Sequence, residues 1–280
     1  MTRKTAEKGG PSGVADTVIR SPRRRLGFAS NVGKVRRVDE DSLLAMEIQT
    51  AYLSEPRTRL LLMVADGMGG HRRGDVASRI AVRAVARTIL PLLTTQEDIP
   101  RGTYDRELRA AVGQANQDIF AEAERHPECE GMGTTLSLAI VDGRNLYVAN
   151  VGDSRTYVIN DREIFQVTRD HSLVQEMVDR GELSPDEARH HPRKNVITMA
   201  LGGYDEVAAD VGCLTTEPGD MVLVCCDGLI NHVKDDDIQR VVVEASDPQA
   251  ACEILVALAN KGGGTDNISV IIARAPEGSP

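Results

Sequence analysis

The sequence holds no apolar run longer than six residues; the stretches at 60–65, 221–226 and 254–259 are the longest. A membrane-spanning helix needs about 20, so no membrane span is expected. The N-terminal Lys and Arg residues are not followed by an apolar segment, which argues against a secretory signal and for a cytoplasmic location. The five cysteines (Cys129, Cys213, Cys225, Cys226 and Cys252) show no C-x-x-C spacing. Neither a zinc ribbon nor a small disulfide scaffold fits, and reduced, mostly buried thiols are expected. Beyond Leu26 there is no internal repeat and no Pro/Gly/Ser-rich break long enough to act as a linker.

What is there is the composition of a folded protein. Of 280 residues, 41% are hydrophobic and 27% charged, close to a globular average and far from a disordered or fibrous chain. Net charge is −9 and unevenly placed: residues 1–25 carry seven basic and two acidic side chains, leaving 26 basic and 40 acidic for the rest. That acidic body disfavours nucleic acid, whose phosphates seek the opposite sign. The first 25 residues are rich in Gly, Pro, Ser and Arg without periodicity, and predict a basic, disordered extension ahead of one folded domain over 26–280.

Periodicity then sorts the body. The run at 59–65, stopped by Asp66-Gly67, predicts a strand buried on both faces. Val76, Ile80 and Ala84 at helical spacing, with Arg79, Arg83 and Arg87 opposite, predict an amphipathic helix over 75–90. A second helix is predicted over 105–123. From Leu136 to Thr168 the period drops to two, interrupted at Asp142-Gly143, Gly152-Asp153 and Asn160-Asp161, which predicts an antiparallel meander. Two later strands, 221–226 and 268–272, are separated by helices over 235–244 and 248–261. Strands grouped with strands and helices with helices indicate an α+β protein, sheet packed on sheet with helices outside. Between Ser172 and Asn195 lies a polar insertion with its own capping box, Ser184-Pro185-Asp186-Glu187, read as a flap beside a sheet end.

The acids fall where apolar strands stop. Asp66 and Asp227 end strands, Asp153 sits in a strand turn, Asp266 directly precedes a strand, and Asp41 starts another. Asp-Gly suits any tight turn. Five such ends meeting in space would repel one another unless a cation lay between them, and all-oxygen ligands select Mg²⁺ or Mn²⁺ over zinc.

Eight motifs carry a resemblance: RRVDEDS at 36–42, VADGMGG at 64–70, GMGTT at 131–135, NVGDSR at 150–155, DHS at 170–172, PGD at 218–220, CDGL at 226–229 and GTDNIS at 264–269. In this order they resemble the bacterial form of the metal-dependent serine/threonine protein phosphatases of type 2C, the PPM family. The resemblance implies a four-layer α-β-β-α sandwich, two antiparallel sheets face to face and flanked by helices, with a metal centre at one end. It implies two Mn²⁺ or Mg²⁺ ions bridged by Asp66, with the Gly67 carbonyl, Asp227 and Asp266 completing the set and Asp153 holding a third, weaker ion. Glu40, Asp41 and Asn267 would stand around the metal-bound waters, and Arg36 would bind phosphate bidentately. The implied reaction is hydrolysis of phosphoserine and phosphothreonine in proteins by a metal-activated water, with no covalent intermediate. Phosphorylated proteins would be the partners, Ser/Thr kinases and their substrates among them, and the enzyme a monomer. The alternatives are a phosphatase of a sigma-factor regulatory phosphoprotein and a non-catalytic phosphoprotein-binding pseudophosphatase.

Three positions depart from the family pattern. Met68 stands where many eukaryotic members carry a histidine, and cannot deliver a proton; His71 is an alternative donor. Asp39 replaces the usual Asn. Cys225-Cys226 replaces a small hydroxyl residue, and strand alternation predicts that Cys225 approaches the site, with some sensitivity to oxidation, while Cys226 faces the core. His171 is expected to be structural, at the entrance of the flap, and the His190-His191 pair to face different sides of its helix.

Overall fold

A computed structural model describes residues 25–52, 55–68, 73–95 and 98–276. The expected basic extension falls almost wholly outside these residues, as does His71.

Strands β1 (Leu26–Asn31), β2 (Ser42–Tyr52), β3 (Glu55–Ala65) and β4 (Gly67–Met68) precede helices α1 (Gly74–Leu93) and α2 (Arg101–Arg125). Strands β5 (Gly133–Thr134), β6 (Leu136–Asp142), β7 (Asn145–Val151), β8 (Arg155–Ile159) and β9 (Ile164–Gln166) follow. Helices α3 (Leu173–Asp179) and α4 (Pro185–His190) come next. The chain ends with β10 (Asp210–Thr215), β11 (Met221–Cys225), α5 (Asp227–Ile230), α6 (Asp235–Glu244), α7 (Pro248–Lys261) and β12 (Ile268–Arg274). One sheet runs β1-β12-β11-β8-β9 and the other β10-β7-β6-β3-β2, with β4-β5 a two-stranded ladder. Every pairing is antiparallel.

Alternation along each strand builds three apolar layers. Leu60, Leu62 and Val64 of β3 meet Val222, Val224 and Cys226 between the sheets. Leu61 and Met63 face outward and pack under α1 and α2 with Ala77, Ala84 and Leu108. Leu223, Cys225, Val270 and Ile272 face the other way, under Ile238 of α6 and Leu255 of α7. The architecture is therefore the expected four-layer sandwich.

The middle of the chain departs from the sequence pattern. The meander is two hairpins, not one: β6-β7 belongs to one sheet and β8-β9 to the other, and the chain crosses the sandwich at Gly152-Asp153. Gly152 makes the crossing with φ of 99°, its would-be Cβ position 2.6 Å from the Thr135 side chain, so only glycine fits. A turn between period-two segments looks the same whether the next strand pairs beside the last or on the facing sheet.

Helices α6 and α7 start and stop where expected. Asp247 caps α7 by accepting from the Ala250 N–H at 3.0 Å, with Pro248 at the first helical position. The capping box at Ser184 is present in α4, where Ser184 N–H donates to Glu187 Oε2 at 2.8 Å. The segment expected as a flap also holds α3, capped by Ser172.

Candidate metal centre

The predicted acids do converge, and each sheet supplies some of them. Asp41 precedes β2 and Asp66 follows β3, while Asp227 follows β11 and Asp266 precedes β12; Asp153 lies on the crossing between β7 and β8. Carboxylate oxygens of Asp41 and Asp66 and the Sγ of Cys226 all lie within 4.8 Å of one another.

Hydroxyls and glycines of the motifs fix these positions. The Asp66 N–H donates to Thr135 Oγ1 at 3.0 Å, and its carbonyl accepts from Thr134 Oγ1 at 2.8 Å and Thr135 N–H at 2.9 Å. Thr135 Oγ1 in turn lies 2.7 Å from Ser154 Oγ, beside Asp153. At Gly67 a Cβ would fall 2.3 Å from the Glu40 carbonyl and 2.4 Å from that of Gly74, so the backbone there fits no side chain. At Gly228 a Cβ would lie 1.9 Å from the Asn267 carbonyl, and its absence lets α5 close against the start of β12.

Asn267 organises the loop before β2. Its Oδ1 accepts from the Glu40 N–H at 2.9 Å, and its Nδ2 donates to the carbonyls of Val32 and Val38 at 3.0 Å each. That buried amide holds both ends of the turn carrying Arg36. The Arg36 guanidinium donates to Asp266 Oδ2 at 2.7 Å, and the exposed remainder of the side chain faces solvent. Asp39 lies beside Asp41, accepting from its N–H at 3.2 Å.

Electrostatically the cluster is overloaded with negative charge. Burial, then the charges of Asp41, Asp227 and Asp153, hold the Asp66 carboxyl well above the usual range. Burial chiefly, with Asp39 and Asp227 nearby, pushes Asp41 up to about 7. Asp153 is raised by burial and by Asp227 and Asp170, and Asp227 by burial and Asp266. Both oxygens of Asp41 and the Oδ1 atoms of Asp153 and Asp227 are buried with no hydrogen-bond partner among the described residues. Unpartnered buried carboxylate oxygens in such number suit a hard divalent cation, which would satisfy them and cancel the repulsion at once.

Two expectations need correction or completion. Cys226, not Cys225, lies beside the carboxylates: it belongs to the layer between the sheets, whereas Cys225 packs beneath the helices. The strand ends at Cys225 and Asp227 already opens a helix, so alternation does not carry through to Asp227. The Cys226 thiol accepts from Ser269 N–H at 3.1 Å and is pushed well up by burial and the adjoining acids; burial raises Cys225 too. Asn231, which no motif singled out, donates from Nδ2 to Asp227 Oδ2 at 3.0 Å, the i,i+4 spacing from Asp227 being the signal that could have found it. His171 is buried, accepts the Gly152 N–H on Nδ1 at 3.2 Å and places Nε2 3.0 Å from Asp210 Oδ2. With the Arg155–Asp170 pair at 2.7 Å, it joins the root of the 172–195 segment to the turn that carries Asp153.

Fold and site together define a four-layer sandwich whose two sheets bring a cluster of partly to fully buried carboxylates to one end. The family model of protein phosphatase 2C matches residues 48–257, and the chain belongs to that family. It is 36% identical over 250 residues to the serine/threonine phosphatase stp of Listeria monocytogenes, covering 88% of this chain and 94% of that protein. It is equally 36% identical to the serine/threonine protein phosphatase PstP of Mycobacterium tuberculosis over 89% of this chain but 44% of that longer protein. The catalytic domain of PstP, solved in complex with two manganese ions, superposes with a TM-score of 0.74 at 36% identity, covering 89% of this chain and 97% of that one.

Proposed function

We propose that this chain hydrolyses phosphoserine and phosphothreonine in proteins with the help of two Mn²⁺ or Mg²⁺ ions. The observation that carries the reading is the set of buried, unpartnered oxygens on Asp41, Asp153 and Asp227 beside the strongly perturbed Asp66. Asp66, the Gly67 carbonyl, Asp227 and Asp266 would hold the two ions, Asp153 with Asp227 a third, and Glu40, Asp41 and Asn267 would order the surrounding water. Bound there, the ions supply Lewis acidity toward water and phosphoryl oxygens.

The chain's own residues do the rest. Thr134 and Thr135 clamp the Asp66 backbone, fixing the point from which its carboxylate reaches into the site. Arg36, aimed by the Asn267 turn, offers a planar fork of donors to the phosphoryl group, a geometry lysine does not reproduce. Asp39 adds negative charge next to Asp41 and tunes cation affinity. Met68 has no proton to donate, which leaves water within the site or His71 to protonate the leaving group. No buried thiol is needed as nucleophile, and the elevated pKa of Cys226 keeps it inert.

Phosphoproteins are the substrates on this reading, Ser/Thr kinases and their targets among them, met by a monomer. The five cysteines are all unbridged and four are buried, which suits the cytoplasm. Among the described residues no helix is long and apolar enough to cross a membrane.

The test is hydrolysis of an aryl phosphate and a phosphothreonine peptide by the purified chain. Turnover is expected with Mn²⁺ or Mg²⁺ and its loss with EDTA. Asp66→Asn, Asp227→Asn or Asp266→Asn should lower kcat by about three orders of magnitude or more, consistent with several kcal/mol of transition-state stabilisation lost with an ion. Near-normal turnover in EDTA would overturn the reading.

A further inference from the structure

Asn231 caps the C-terminus of α5 and touches two partners at once. Its Nδ2 donates to Asp227 Oδ2 at 3.0 Å, and its Oδ1 accepts from Lys194 Nζ at 3.0 Å. The orientation is fixed chemically: an ammonium only donates and a carboxylate only accepts, so a flipped amide would lose both bonds. Asp227 thereby has Oδ2 occupied and Oδ1 buried and unpartnered. Lys194 comes from the far end of the 172–195 segment, which touches the same region a second time through Arg189 and Asp235, 3.2 Å apart.

The geometry points to Asn231 as a positioning residue that presents Asp227 Oδ1 to a divalent ion and, through Lys194, couples ion binding to the docking of the 172–195 segment. The inference rests on Asp227 being an ion ligand. Partners behind a ligating carboxylate restrict its rotation, and their loss typically costs about 10–100-fold in metal affinity. Because one amide serves both partners, fixing it for Asp227 removes the rotamer freedom that Lys194 would otherwise have to freeze, and the reverse. Such coupling is reciprocal: an ion that tightens the segment is itself held more tightly when the segment is docked. Lys194 therefore has a role without contacting the ion.

Two hands of one side chain can be cut separately. In the full chain, Mn²⁺ affinity is measured by titration calorimetry, and the mobility of residues 173–195 by amide hydrogen exchange with and without Mn²⁺. Asn231→Ala is expected to weaken Mn²⁺ binding about 10–100-fold and to erase the protection of 173–195 that Mn²⁺ confers. Asn231→Asp keeps an oxygen for Lys194 but has no donor for Asp227; Mn²⁺ affinity should fall while the Mn²⁺-free exchange of 173–195 stays at the wild-type rate. Lys194→Met should speed that exchange and weaken Mn²⁺ by about 5-fold or more, with Lys194→Arg restoring both. Mn²⁺ affinity of Asn231→Ala and Asn231→Asp within about threefold of wild type, or equal Mn²⁺ protection of 173–195 in wild type and Asn231→Ala, overturns the inference. Asp227→Asn separates the two levels: if it loses Mn²⁺ while Asn231→Ala does not, only the positioning role falls, and if Asp227→Asn binds Mn²⁺ normally, the ligand assignment falls as well.

Discussion

Arg36 donates to Asp266 Oδ2 at 2.7 Å, joining the candidate phosphate-binding group to a candidate ion ligand. The pair is partly open to solvent and serves aim more than stability. Removing a charged hydrogen bond to a phosphoryl group costs about 1.5–3 kcal/mol. Arg36→Ala should therefore lower kcat/KM for a phosphothreonine peptide by about 10–150-fold, and Arg36→Lys should recover little of it. Steady-state kinetics at saturating Mn²⁺ checks this.

Crowded carboxylates should make the chelated protein less stable as pH rises. Asp41 titrates near 7 in the fold against about 3.9 in an unfolded chain. The folded state thus holds this proton more tightly, so its stabilising effect is complete below about pH 4 and lost as pH climbs through about 7. Asp41→Asn removes the penalty. In EDTA at pH 8 it should melt several degrees above wild type, and the gap should close toward pH 4. Differential scanning fluorimetry across that range tests the sign.

Glycine at 228 is a steric requirement. With 1.9 Å between a would-be Cβ and the Asn267 carbonyl, Gly228→Ala must push α5 away from β12. Overpacking of this kind costs about 1–3 kcal/mol. The variant should melt about 2–10 °C lower and lose Mn²⁺ affinity, since Asp227 and Asn231 move with the helix. Gly113→Ala, with nothing within 4 Å of its Cβ, is the matched control and should do neither.

Thiol chemistry should report the burial pattern. Cys213 is exposed while Cys129, Cys225, Cys226 and Cys252 are buried. Iodoacetamide should modify Cys213 alone in the native protein, located by peptide mass mapping, and Cys213→Ser should leave no labelled site. Mild peroxide should spare activity, because the thiol beside the acids is the enclosed Cys226 rather than a reachable one.

Much of this could be seen in the sequence because local chemistry and global fold agree where the motifs lie. Three aspartates open α6, and α7 carries its own cap and first-turn proline, Asp247 and Pro248, and ends at Gly262; the acids at the strand ends mark the end of the sandwich where they gather. Strand β10 was invisible because it is a sheet edge with no buried residue, and its exposed positions, Asp210, Cys213 and Thr215, do not alternate regularly. The split of the meander escaped for the same reason that Cys225 and Cys226 were exchanged: a period of two tells which residues share a face, but not which sheet that face looks toward or where the strand gives way to a helix. The link from Asn231 to Lys194 is not legible in the sequence because the two lie 37 positions apart.

The crossing at Gly152-Asp153 has a mechanical meaning. Asp41 and Asp66 ride on one sheet, Asp227 and Asp266 on the other, and Asp153 on the strap between them. Sliding one layer over its neighbour by a fraction of a side chain would therefore alter every carboxylate spacing that runs from one sheet to the other. The aliphatic layer of Leu60, Val224 and Ile271 packs between the two sheets and sets their separation, so shaving a methylene there should detune the enzyme before it unfolds it.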